Sequence, residues 1–173
     1  MIYFVRHGQT NWNLEGRIQG QTDIPLNEKG LLQAKEIKEK LKGIKFEKVF
    51  CSPLKRTLQT AKTIYDGEII IDERIKERNN GELEGKLKSE IKNFPDFNNP
   101  DNSEYNIEPI KSFNGRIKSF LDEVKQTYKD KNILVVTHAG VCIYVKCYFE
   151  GEPNKNNFES YKLKNGEILS YSN

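Results

Sequence analysis

Ile133-Leu134-Val135-Val136-Thr137-His138-Ala139-Gly140 is the most apolar run of the chain, and it stops on a histidine followed by two small residues. A short, uninterrupted apolar run suits a strand covered on both faces, as in a parallel sheet. The chain opens with a run of the same design, Ile2-Tyr3-Phe4-Val5-Arg6-His7-Gly8. Between the two, helical and extended patterns alternate. Asn27 suits an N-cap for a helix with Leu31, Ala34, Ile37 and Leu41 on one stripe, closed by Gly43. Lys48 to Cys51 reads as a second strand. Ser52-Pro53 then offers a capping hydroxyl and a first-turn proline to a helix with Leu54, Leu58, Ala61 and Tyr65 on one face. Glu68 to Ile71 reads as a third strand.

Further on, Gly81 and Gly85 bracket a turn, and a short helix is expected over Lys86 to Asn93. Phe94 to Pro109 is rich in Asn, Asp and Pro, and reads as a long surface loop that could act as a lid. Ile110, Phe113, Ile117, Phe120, Leu121 and Val124 mark a long amphipathic helix. Another helix is expected from Val141 to about Phe149. Tyr161 to Leu163 and Ile168 to Tyr171 flank Lys164-Asn165-Gly166, a hairpin signal. The alternation predicts an α/β fold: a three-layer sandwich with a largely parallel central sheet, helices on both faces and an antiparallel edge hairpin. All of it is expected within a single domain spanning residues 1–173.

Composition narrows the function classes. Charged residues make up 31% and hydrophobic ones 36%, ordinary values for a soluble domain. No apolar run approaches the roughly 20 residues needed to cross a bilayer. Ile2 to Val5 is too short for a signal segment, so a cytoplasmic protein without a membrane partner is expected. Net charge is +3 with no basic block, which argues against nucleic acid as a partner. Cys51, Cys142 and Cys147 are an odd count without the C-x-x-C spacing of a zinc knuckle, so they read as free thiols. Only six of the 28 basic residues are arginine: Arg6, Arg17, Arg56, Arg74, Arg78 and Arg116. In a chain that fills its surface with lysine, those positions are candidates for a forked, permanent cation. Oligomeric state, monomer or homodimer, is not legible.

The two histidines carry the functional signal. His7 and His138 are the only ones in the chain, and both end apolar strands before small residues. Ligands of open α/β sheets collect outside the carboxyl ends of the strands, so both rings belong on one rim. Arg6 adjoins His7. Arg56 falls in the first turn of the helix begun by Ser52-Pro53, where free N–H groups favour anions. For Arg6 and His7 to serve one pocket, the backbone must leave extended geometry, which Gly8 permits. Two arginines, two histidines and helix N-termini fit a phosphate dianion. No clustered carboxylates or further histidines are available as metal ligands, so metal-free chemistry with no cofactor is expected.

Val5-Arg6-His7-Gly8-Gln9-Thr10-Asn11-Trp12-Asn13 resembles the signature of the histidine phosphatase superfamily, the phosphoglycerate mutase-like proteins. Gly16-Arg17-Ile18-Gln19-Gly20-Gln21-Thr22-Asp23 continues the match, as do Pro25-Leu26-Asn27, Gly30 and Gln33-Ala34. Ser52 to Ala61, Glu77 to Gly85, and Thr137-His138-Ala139-Gly140 resemble its later blocks. The resemblance implies that His7 attacks phosphorus and becomes phosphohistidine, and that Arg6, Arg56 and His138 hold the non-bridging oxygens. Asn13 adds a side-chain donor, and Gln19, Gly20 and Ala139 match substrate-binding positions. Glu77 protonates the leaving alkoxide and then helps activate water. Glu82 and Glu84 are rival acids in the same turn.

The resemblance also implies the reaction class, a phosphoric monoester hydrolase (EC 3.1.3.-) acting on a small phosphorylated metabolite. A short insert after Gly85, the His138-Ala139-Gly140 triplet and the Gly81-Glu82-Leu83-Glu84-Gly85 pattern resemble the phosphatases more than the mutases. Glu77-Arg78 resembles the mutase pair instead, and Arg78 or Lys88 could bind a substrate carboxylate. A cofactor-dependent phosphoglycerate mutase and a non-catalytic phospho-ligand binder are the alternatives.

Overall fold

A computed structural model of the protein describes residues 1–91, 104–154 and 157–172. Its sheet rests on β1 (Ile2–Arg6), β2 (Lys48–Cys51) and β4 (Ile133–Thr137), whose successive side chains pass to opposite faces. Ile2, Phe4, Phe50, Ile133 and Val135 enter one core. Val5, Val49, Cys51, Leu134 and Val136 enter the other. Apolar character on both faces demands cover on both. α2 (Glu28–Lys40) and α3 (Lys55–Ile64) supply it on one side, through Ile37, Ala61 and Ile64. α4 (Ile110–Thr127) and α5 (Ala139–Glu150) supply it on the other, through Phe113, Ile117, Phe120, Leu121, Val124, Val141 and Val145. Each of these side chains larger than alanine contributes roughly 1.5–3 kcal/mol by leaving water. Tertiary packing therefore holds these helices far more than their propensity does.

With β3 (Ile70–Ile71) and β5 (Ile168–Tyr171), the strand order is β3-β2-β4-β1-β5. The first four run parallel, and β5 pairs antiparallel with β1. β4 lies in the middle, with every residue buried. The mixed, mostly parallel sheet matches the expectation from the two apolar runs. The Asn27 cap matches as well: its side chain accepts the Gly30 N–H.

Four local expectations need correction. The antiparallel edge is not a hairpin, because Phe158–Tyr161 forms a 3-10 turn and the Leu163 carbonyl bonds the Arg6 side chain instead of a strand partner. The third strand is two residues long. Lys88–Glu90 makes one 3-10 turn where a short helix was expected. Ser52 does not cap α3: the cap position falls on Leu54, which makes no side-chain cap bond. Most of the expected lid lies outside the described residues. Of its remainder, Ile107 is buried against Ile18 and Leu83. Among the described residues no helix is long and apolar enough to cross a membrane.

Gly8 contributes differently from the expected backbone freedom, for its φ is not positive. What it supplies is closeness: a Cβ on Gly8 would lie 2.3 Å from the Gly30 carbonyl oxygen. One on Gly30 would lie 2.1 Å from that of Gln9. Two bare backbones thus meet where the segment after β1 crosses α2.

Candidate active site

The parallel register of β1 and β4 pairs Arg6 with Thr137, and the ladder continues as the His7 N–H donates to the Thr137 carbonyl at 3.0 Å. The next residue of each strand is a histidine, so the sheet itself brings residues 7 and 138 together. Their ring centroids are 5.3 Å apart at 63°. Both are almost fully buried, at 3% and 0% exposure. Burial pushes both imidazoles well below the usual histidine range, and nearby Arg56 and Arg6 add to the effect. Both rings are therefore neutral at neutral pH.

Their hydrogen bonds differ. His7 Nδ1 lies 2.7 Å from the carbonyl oxygen of Gly8. A carbonyl can only accept, so Nδ1 carries the proton and Nε2 keeps its lone pair. His138 Nε2 lies 2.7 Å from Ser52 Oγ, and its Nδ1 is buried with no partner among the described residues. Ser52 thus serves the site where a helix cap was expected.

The guanidinium of Arg56 is 1% exposed. It donates from one terminal nitrogen to the Thr22 carbonyl at 2.9 Å and from the other to the Gly20 carbonyl at 2.7 Å. Burial draws it down to about 10, opposed by Glu77, Asp23 and Glu84, so it stays cationic at neutral pH. Arg6 bonds the Leu163 carbonyl. Burial lowers it too, against the pull of Glu77. In both arginines Nε is buried and without a partner among the described residues.

Glu77 is held from two elements. One carboxyl oxygen accepts the Arg78 N–H at 2.9 Å and the other accepts the Gly140 N–H, in the first turn of α5, at 3.0 Å. Arg116 braces the same loop from α4. It donates to the carbonyls of Arg74, Lys76 and Glu77 and forks onto the Glu108 carboxylate. The rival acids are engaged elsewhere. Glu84 accepts the N–H groups of Gln21, Thr22 and Asn80, stapling the loop whose carbonyls hold Arg56. Glu82 is exposed and accepts from Asn106.

Asn13, in α1 (Asn11–Glu15), forms a capping box with Thr10. Its Oδ1 accepts from the Thr10 N–H and from Asn165 Nδ2, each at 3.1 Å. Gln19 accepts from the Thr10 hydroxyl at 2.9 Å. Gly20 has φ +52° and no room for a side chain, since a Cβ would lie 1.9 Å from the Glu84 carboxyl. Ala139 is the first residue of α5, directly after His138. Arg78 is 6% exposed, with Nε on the Glu108 carbonyl. Lys88 is exposed, within electrostatic reach of Lys162, Glu159, Arg6 and Glu77, and partial desolvation lowers its ammonium.

Ser52, Arg116 and Asn165 were not named as site residues from sequence. Only Arg116 carried a signal, as one of the few arginines. Among the described residues no group of three or more His, Cys, Asp or Glu could hold a metal ion.

A family model described as histidine phosphatase superfamily, branch 1, matches residues 2–172. "Uncharacterized phosphatase PhoE" of Bacillus subtilis is 38% identical over 141 residues, covering 79% of this chain and 70% of that protein. "Metal-independent phosphoserine phosphatase" of Arabidopsis thaliana is 38% identical over 160 residues, covering 84% of this chain and 67% of its own. Among solved structures, the phosphoserine phosphatase of Entamoeba histolytica in complex with 3-phosphoglyceric acid superposes with a TM-score of 0.79 at 30% identity. That match covers 96% of this chain and 87% of the other.

Proposed function

The chain belongs to the histidine phosphatase superfamily, and on that footing we propose that it hydrolyses phosphomonoesters of small metabolites without a metal, through a phosphohistidine on His7. The observation that carries this reading is three buried polar atoms without partners among the described residues, on Arg6, Arg56 and His138, the two arginines acting on a neutral His7 through their charge and His138 touching its ring. Stranding one buried polar group costs about 1–3 kcal/mol. Three in one cluster suit a site whose partner is an incoming anion with several acceptor oxygens.

In the first step His7 Nε2 attacks phosphorus, the N–P bond forms, and the P–O bond to the leaving group breaks. Glu77 gives its proton to the departing alkoxide. In the second step water attacks phosphorus, its proton passes to the Glu77 carboxylate, and the N–P bond breaks to release inorganic phosphate. Arg6 and Arg56, with His138 and the Asn13 amide, face the equatorial oxygens, where negative charge spreads in the transition state. The fixed carbonyls of Gly20 and Thr22 hold the Arg56 fork in place before substrate arrives, so little reorganisation is required during reaction.

Lys88 favours substrates with a second anionic group beside the phosphate. Carboxylated esters such as phosphoserine and phosphoglycerate fit that chemistry, and proteins with such names are among the similar ones. The same lysine, with Arg78, supports phosphoglycerate mutase as a second reading. The unpaired thiols Cys51, Cys142 and Cys147 agree with a reducing, cytoplasmic setting.

The test is a phosphate-release screen over phosphomonoesters with and without chelator, coupled to trapping of an acid-labile phosphoenzyme. Release that survives chelator, with label lost in His7→Ala, is expected. A requirement for added metal, or label that persists in His7→Ala, rejects the mechanism. Interconversion of phosphoglycerates that needs the bisphosphate selects the mutase.

A further inference from the structure

We infer that Asn165 is a positioning residue that fixes the proton on His7 and aims the Asn13 amide. The inference rests on the reading of His7 as the nucleophile. Lys164-Asn165-Gly166 reads from sequence as a turn before the last strand. In the fold this turn returns to the amino-terminal segment, where the Gly166 N–H donates to the Arg6 carbonyl at 3.2 Å. Asn165 Nδ2 lies 3.1 Å from the His7 carbonyl, 3.3 Å from the Gly8 carbonyl and 3.1 Å from Asn13 Oδ1.

Two of these three partners are carbonyls, which can only accept, so the NH2 end of Asn165 must face them. That assignment propagates in two directions. The atom of Asn13 beside it must be an acceptor, as the Thr10 N–H on the same oxygen also requires. The Asn13 NH2 is thereby turned away from Asn165 and left to donate to substrate. The Gly8 carbonyl that Asn165 grips is also the acceptor of His7 Nδ1–H, while the Gly8 N–H is held by Thr60 Oγ1 at 3.2 Å. The two peptide groups that meet at Gly8 are thus both pinned, the second also through the Gln9 N–H on Gln33 Oε1 at 2.8 Å, and the fixed Gly8 carbonyl keeps the His7 proton on Nδ1 and the lone pair on Nε2. Second partners of this kind commonly set imidazole tautomers.

The experiment uses the full chain labelled with 15N-histidine. With only two histidines, the His7 signals are assigned by a His138 variant. Wild type should show one tautomer at His7, protonated on Nδ1. Asn165→Ala should show a mixture, and kcat/KM should fall on the order of 10- to 100-fold, as expected for a displaced reacting group. The loss should be smaller in an Asn13→Ala background, because part of the effect runs through Asn13. If Asn165→Ala does not fold, Asn165→Asp keeps the shape of the turn but presents oxygens to three acceptors, and it should lose at least as much. A single Nδ1–H tautomer together with kcat/KM within about twofold of wild type, in whichever variant folds, overturns the inference. Failure to trap phosphohistidine on the wild-type protein instead sinks the role of His7 as nucleophile. The tautomer spectrum still decides the positioning claim.

Discussion

Ser52 Oγ lies 2.7 Å from Nε2 of His138, linking the end of β2 to the end of β4 across 86 positions of sequence. Ser52→Ala leaves both nitrogens of a fully buried ring without partners. The expected cost is about 1–3 kcal/mol, a drop of several degrees in Tm for a chain of this size. kcat/KM should fall with it, as the ring loses its fixed orientation. Unchanged melting and unchanged kinetics would show that the contact orients nothing.

Arg56 needs its fork. Its two terminal nitrogens hold Thr22 and Gly20 while Nε is left over. The ammonium of Arg56→Lys gathers its three donors on one nitrogen and lacks the planar fork that reaches two carbonyls from separate nitrogens while turning a third towards an anion. A loss on the order of 10²–10³ in kcat is expected, comparable to removal of one oxyanion donor. Steady-state kinetics on the best ester from the screen decides this, and a change in KM alone would contradict it.

Glu77→Gln should separate leaving groups. Poor alkoxide leaving groups should slow on the order of 10²–10⁴-fold, the usual worth of general acid catalysis, and activated aryl esters much less. Of the two rivals, Glu84 is tied to three backbone N–H groups and Glu82 is exposed. Equal slowing of both ester classes would return the acid role to one of them.

Low pH should weaken the fold through the histidines. Both titrate well below the ordinary value of about 6.5 when folded and near it when unfolded. As pH falls below about 6.5 the unfolded chain takes up protons that the folded chain refuses, so stability declines in that window. The acid limb of kcat/KM should likewise lie below 6.5, because His7 stays neutral there. Melting curves from pH 7 to 5 should be steeper for wild type than for a His7→Asn, His138→Asn double variant. Parallel curves would remove the histidines from the account.

Gly8→Ala should be poorly tolerated, since its Cβ meets a backbone oxygen that cannot swing aside. Overpacking of this kind costs about 1–3 kcal/mol. Chemical denaturation would measure it. A variant as stable as wild type would mean that the two backbones can separate freely.

The framework was legible because it is written locally. Apolar runs announce β1 and β4, the 3.6-residue period announces α2 and α4, and Asn27 announces its own helix start. Parallel pairing then brings His7 to His138 with little further information. The supporting contacts were not legible, because each joins residues far apart in sequence. Nothing in Ser52-Pro53 says that the hydroxyl serves His138 and not the helix. Nothing in Lys164-Asn165-Gly166 says that the turn ends against His7. The expected strand at Tyr161 to Leu163 failed for a related reason: the Leu163 carbonyl had another partner in Arg6.

That last contact has a consequence for how the molecule is made. Arg6 and Leu163 are 157 positions apart, so a ribosome makes this brace long after the arginine it holds. A nascent chain arrested before Leu163 would carry both histidines, yet Arg6 would lack its carbonyl and the His7-Gly8 segment its amide clamp. The proposed site is therefore complete only once residues 163 to 165 have been made, and chains that stop short of them should be silent rather than weakly active.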